Sequence, residues 1–127
     1  MAINGWPEIE GIDSAKALQL TGGDLNLFID LLKLFLAEND DSANKVKALF
    51  ELGQSAQAQK VLHKLKGQAG CISAIDLEES AATLENAVHS GLINLSELVM
   101  AFEQTHVSLC DAIRAWLVNQ NEENISR

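Results

Sequence analysis

A histidine with an ammonium group one helical turn away and two glycines at its flank is the arrangement in this chain best suited to chemistry. It lies in residues 58–70, AQKVLHKLKGQAG. At about 100° per residue, Ala58, Val61, Leu62, Leu65, Ala69 and Ile72 fall in one stripe, the signature of a helix laid on a core. His63 lies nearly opposite, with Gln59, Lys66, Gly67 and Gly70 around it. Glycine inside a helix costs about 0.8–1 kcal/mol relative to alanine, so two beside one histidine imply clearance for another molecule. An exposed imidazole is a nucleophile at neutral pH, and Lys66 can stabilise an anionic group that arrives on it. A phosphoryl group fits best.

The remaining residues are expected to position this helix. Residues 1–10 are short, polar and marked by Pro7, which predicts an extended lead-in or linker, with Trp6 available to pack on the body. Asp13 or Ser14 caps a short helix through Leu20, with Ala15, Leu18 and Leu20 for burial and Thr21-Gly22-Gly23 ending it. Asp24 opens a long helix, apolar on nearly all sides from Leu25 to Leu36, that continues through Ala43, Val46, Leu49 and Phe50 to a stop at Gly53. A bend is expected in the polar run 38–42. Ser55 caps the histidine helix, which ends near Cys71. Ser73 and Asp76 then make a capping-box start for a helix to about Ser90, closed by Gly91, that buries Ala74, Leu77, Ala81, Leu84 and Val88. Asn94 and Glu97 open the last helix, with Leu98, Val99, Phe102, Leu109, Ile113 and Trp116 on its stripe, before the polar tail 119–127 frays.

No segment alternates with period two, so the chain is expected to be all-α: an up-down-up-down four-helix bundle over residues 11–118 with a short N-terminal capping helix. The 127 residues suffice for one core without metal or disulfide. A net charge of −9, from 9 basic and 18 acidic residues, argues against nucleic acid and anionic membrane as partners. Neither a spanning apolar run nor a signal peptide is visible, which predicts a soluble, cytoplasmic protein. Cys71 and Cys110 sit on apolar helix stretches without metal-like spacing, so two buried, reduced thiols are expected. Lys60, Lys64 and Lys66 concentrate cations on the histidine helix; they are either a solvated flank or a landing for an acidic partner.

Two other histidines compete for a role. His89 ends its helix, where a cation is favoured by the macrodipole, and at most it joins a docking rim. His106 falls on a core stripe with Phe102 and Leu109 and is expected to be packed and hydrogen-bonded. The three histidines share no spacing that recommends a metal site.

His63-Lys64-Leu65-Lys66-Gly67, followed by Gln68-Ala69-Gly70, resembles the HxLKGxAG core of histidine-containing phosphotransfer (HPt) domains. Gly11-Ile12-Asp13, Gly22-Gly23-Asp24 before Leu25, Phe28, Leu31, Leu32 and Phe35, and Leu77, Ala81, Leu84 and Glu85 follow the family's pattern as well. Ser73 departs from it, standing where the family usually has glycine before Ala74. The resemblance implies a phosphorelay carrier. His63 accepts a phosphoryl group from a receiver-domain aspartate and passes it to another, Lys66 neutralises the phosphoryl oxygens, and Gly67 gives clearance. Glu85, on the shoulder of its helix's core stripe, accepts a hydrogen bond from one imidazole nitrogen and so fixes the tautomer. Gln59, Lys60, Lys64, Gly70 and His89 form the docking face, with apolar surface of the preceding helix beside it. Without a nucleotide loop or an acid set for magnesium, the chain is expected to have no autokinase activity and no cofactor of its own, Mg²⁺ coming with the receiver. A monomer excised from the C-terminal end of a hybrid sensor histidine kinase is the expected context. The competing expectation is a helical-bundle interaction module that binds without phosphotransfer; such a module has no need of His63, Lys66 and Gly67 together.

Overall fold

Short polar residues punctuate the chain into helices. The computed structural model describes residues 6–91 and 94–125; the start of the lead-in and the last two residues lie outside them. Among the described residues there are six helices and no strand: α1 Ser14–Thr21, α2 Leu25–Asn39, α3 Ser42–Glu51, α4 Ser55–Cys71, α5 Ile75–His89 and α6 Ser96–Ile125. Asp13 and Asp24 cap α1 and α2, each accepting from the backbone N–H three residues on at 3.0 Å. α3 packs on α4, α4 on α5 and α5 on α6, and α6 returns to α3; α2 reaches α1, α4 and α6.

The core is continuous, with Phe28, Leu32, Phe35, Val46, Leu62, Leu65, Leu77, Leu84, Phe102 and Ile113 all buried. Within the lead-in, Trp6, Pro7 and Ile9 are buried, while Glu8 and Glu10 are exposed. Trp6 stacks on Phe28 at 5.4 Å between ring centroids, its indole N–H donates to the Ser14 carbonyl at 3.0 Å, and Ser14 Oγ donates to the Pro7 carbonyl at 3.0 Å. In α1 the buried pair is Ala17 and Thr21, while Ala15 and Leu20 are exposed and Leu18 half-buried. The phase is set by Thr21, whose hydroxyl donates to the Ala17 carbonyl at 2.8 Å and so enters the interior satisfied.

The bend expected in residues 38–42 is a break between two helices. Asn39, Asp40 and Asp41 are short polar residues that compete with the helical backbone. The Asn39 carbonyl, at the last residue of α2, accepts from His106 Nε2 of α6 at 2.6 Å. His106 is thus packed and hydrogen-bonded, as its place on the core stripe predicts, and it ties α6 to the break.

α3 ends in a full Schellman turn, with Gly53 at φ 73° and bonds from Gly53 N to Phe50 O at 3.0 Å and from Gln54 N to Leu49 O at 2.8 Å. The next residue, Ser55, is already helical; the N-cap is Gln54, which makes no side-chain capping bond. The end of α4 repeats the turn with a serine: Ser73, φ 59°, bonds to Gly70 O at 3.1 Å and Ala74 N to Ala69 O at 2.9 Å. The backbone of Ser73 is therefore spent on ending α4 and cannot cap α5, whose N-cap is Ala74. Asp76 and Glu78 in the first turn of α5 complement its dipole instead. Ala74, Leu77, Ala81 and Leu84 are buried as expected, Val88 only half so. α6 continues helical through Ile125, past Asn119, where composition predicts fraying.

Candidate functional site

The stripe Ala58, Leu62, Leu65 and Ala69 fixes α4 against the core, each residue at most 1% exposed. That burial decides which way His63 points. Its side chain is 76% exposed, with Nδ1 3.3 Å from Glu85 Oε2 on α5. The other oxygen of the same carboxylate, Oε1, accepts from Lys66 Nζ at 3.0 Å. Glu85 is 19% exposed at the α4–α5 seam, and one carboxylate there organises both the imidazole and the ammonium. A carboxylate beside Nδ1 favours the tautomer protonated there, which leaves the lone pair of the imidazole on Nε2, the atom away from the carboxylate. Lys66, expected to await an incoming anion, is held by Glu85 in this state.

A shallow depression of about 600 Å³ surrounds the imidazole, lined by Ala56, Gln59, Lys60, His63, Lys64, Glu85, Asn86 and His89. The structure thus brings Gln59, Lys60, Lys64 and His89 to His63. Ala56 and Asn86 join them without having been singled out; the wheel positions of Ala56, two turns before His63, and Asn86, beside Glu85, were the available signal. Gly67 faces open space, where a Cβ would meet nothing within 4 Å. Gly70 departs from expectation. It is half-buried, and a Cβ there would stand 3.1 Å from Glu78 Oε2, so this glycine admits the α5 carboxylate and does not belong to the depression.

The other candidates sort by burial. His106 is 2% exposed, and burial lowers its pKa against the opposing effect of its bond to the Asn39 carbonyl. Cys110 lies beside it, buried, its thiol pushed up to about 11 by desolvation. Cys71, expected to be buried, is exposed, because it falls well off the α4 stripe on the side of α2. On α2 itself, Leu27 and Leu34 are 43% and 52% exposed, an apolar surface left outside the core. Among the described residues, no group of three or more His, Cys, Asp or Glu side chains is placed to hold a metal ion, and no helix is long and apolar enough to cross a membrane.

The family model of the Hpt domain matches residues 30–123. The match begins inside α2 and runs into α6, so it holds the whole constellation around His63, while the glycine-containing segments near residues 11 and 22 lie before it. Comparison with curated proteins and with solved structures gives no match.

Proposed function

The chain belongs to the Hpt domain family, whose members carry phosphoryl groups on histidine in two-component signalling, and from that premise we propose that His63 is the carrier atom's residue in a phosphorelay. A receiver domain docks over the depression with its aspartyl phosphate and Mg²⁺. Nε2 attacks phosphorus in line; the N–P bond forms as the acyl phosphate's O–P bond breaks, and the electron pair leaves with the receiver's carboxylate. The proton on Nδ1 stays held against Glu85. Lys66 exchanges Glu85 for a phosphoryl oxygen as charge arrives, and positioning together with the receiver's electrostatics carries most of the rate. A second receiver aspartate then takes the group by the reverse step. In this reading the chain has no autokinase activity, works as a monomer in the cytoplasm, and builds its site on an up-down-up-down bundle over residues 11–118.

The observation that carries the proposal is one Glu85 carboxylate that stands 3.3 Å from His63 Nδ1 and accepts from Lys66 Nζ at 3.0 Å, behind an imidazole that is otherwise open. An interaction module has no use for an oriented tautomer. Intact mass after incubation with a phosphorylated receiver tests it. Wild type gains one phosphoryl group, acid-labile and alkali-stable, whereas His63→Gln gains none; label kept by His63→Gln, or lost from His89→Gln instead, moves the site elsewhere.

A further inference from the structure

Glu85 is a carboxylate at a place where a carboxamide of the same size would also reach the imidazole. The two differ in what they offer Nδ1. A carboxamide accepts or donates by turning over, so it serves the ring with or without a proton there, whereas an ionised carboxylate only accepts. Glu85 Oε2, 3.3 Å from Nδ1, is therefore matched to a ring that keeps its Nδ1 proton. In the free protein the match is muted, because Oε1 of the same carboxylate accepts from Lys66 Nζ at 3.0 Å.

A phosphoryl group on Nε2 changes both partners. Lys66 turns to the phosphoryl oxygens, and the carboxylate, relieved of its cation, faces Nδ1 alone. The other titratable groups at the depression are Lys60 and Lys64 on α4 and His89 on α5. The two ammonium groups oppose a proton on the ring, and so does His89 when it is charged. Among the described residues that line the depression, Glu85 is the only acid. An opposite charge within about 4–6 Å favours the charged form by about 1–3 pH units. With the His63 side chain 76% exposed, solvent screening selects the lower end of that range.

The ring proton decides the leaving group. With Nδ1–H in place, the P–N bond breaks, its electron pair goes to Nε2, and the ring departs as neutral imidazole. Phosphorus bonds instead to a carboxylate oxygen of the receiver, or to water, which carries both its protons into the released phosphate. Without Nδ1–H the same step expels an imidazolide anion, a far stronger base and a poorer leaving group.

We propose that Glu85, unmasked when Lys66 moves to the phosphoryl group, keeps phospho-His63 protonated at Nδ1 through neutral pH and so makes it a short-lived donor instead of a stable store. The proposal rests on the phosphocarrier reading and adds to it a control on how long the group stays. Glu85 is here a positioning residue, acting on phosphorus only through the ring.

Phosphoramidate loads His63 without a receiver. After its removal, intact mass follows loss of the phosphoryl group to water from pH 6 to pH 9. In Glu85→Gln the rate should fall as pH rises, while wild type holds its rate about one pH unit further and loses the group about tenfold faster at the alkaline end. A role in packing alone would scale the rate at every pH and leave the profile in place. A second measurement needs no variant. In protein labelled with nitrogen-15 at histidine, Nδ1 of loaded His63 should keep the chemical shift of a protonated nitrogen about one pH unit beyond that of a phosphorylated histidine peptide. Coincident loss profiles for the two loaded proteins, or an Nδ1 that titrates with the peptide, overturn the proposal. Wild type that loads at His63 from phosphoramidate but exchanges with no receiver would sink the phosphocarrier reading instead.

Discussion

His63 and His106 are the same side chain in opposite settings. The first stands 76% exposed against a carboxylate; the second is 2% exposed and spends its Nε2–H on the backbone carbonyl that ends α2. A charged partner at the surface leaves a second nitrogen free for chemistry. A buried backbone partner instead turns the ring into a structural clamp. Neither role follows from the residue type; each follows from which stripe of its helix carries it.

The contrast is broken most severely at His106. His106→Ala leaves a cavity and an orphaned carbonyl at the α2–α3 break, and we expect a loss of about 2–4 kcal/mol in denaturant unfolding, against no more than about 0.5 kcal/mol for His63→Ala. The pH dependence sharpens the difference. Burial lowers the pKa of His106 in the fold, with the Arg114 cation lowering it further and the Asn39 carbonyl, Asp40 and Asp41 raising it. The unfolded chain therefore binds the proton first. Stability from this group is fully present above the ordinary imidazole pKa of about 6.5 and falls as pH drops from there toward the folded value. His106→Gln keeps a donor but cannot titrate, so the difference in stability between wild type and His106→Gln should shrink between pH 7 and pH 5. A difference that stays constant over that range would remove the titration argument while leaving the clamp.

The next contrast lies within α4, between two glycines one turn apart. A Cβ at Gly67 meets nothing, while at Gly70 it meets Glu78 Oε2 at 3.1 Å. Gly67→Ala should therefore fold normally and gain up to about 1 kcal/mol from helix propensity. Gly67→Gln should also fold, yet place side-chain bulk where the aspartyl phosphate must enter. In-line transfer tolerates little displacement, and a misplacement near 1 Å costs about a hundredfold. Melting temperature and receiver exchange rate on both variants decide it. Gly67→Gln as fast as wild type would refute the clearance argument, and strong destabilisation of both variants would give the glycine a packing role.

How much of this was legible in the sequence depended on range. The α4 stripe is periodic and local, so the orientation of His63 could be read from Ala58, Leu62, Leu65 and Ala69 alone. The wheel also placed Glu85 near the right seam. What it could not supply was contact between helices. That Lys66 pairs with the same carboxylate, that Cys71 falls on the α2 side, and that Gly70 accommodates Glu78 all depend on how α4 sits against its neighbours. Trp6 packs as its apolar bulk suggests, but its partner, Phe28, is 22 residues away and could not be named from the local pattern. The break after Asn39 announced itself only as polarity; the bond that holds it comes from α6.

The smallest expected effect compares the two ends of the loops flanking α4. Gly53 and Ser73 occupy the same place in the same turn, at φ 73° and 59°, but only the glycine suits it. An L-residue in the left-handed region costs about 1–2 kcal/mol, and Ser73 is fully buried with Oγ lacking a partner among the described residues. Glycine would relieve both, at a cost of about 0.5–1 kcal/mol in unfolded-chain entropy. Ser73→Gly should therefore stabilise the protein by about 1 kcal/mol in denaturant unfolding. Ser73→Ala separates the causes, since it removes the hydroxyl and keeps the strained φ, and should recover only part of the gain. The mirror substitution, Gly53→Ser, imports the strain at an exposed position, where water can serve the hydroxyl, and should cost about 1 kcal/mol. A Ser73→Gly variant less stable than wild type would mean that Oγ makes a bond worth more than the strain it accompanies, and that the two turns end their helices for different reasons.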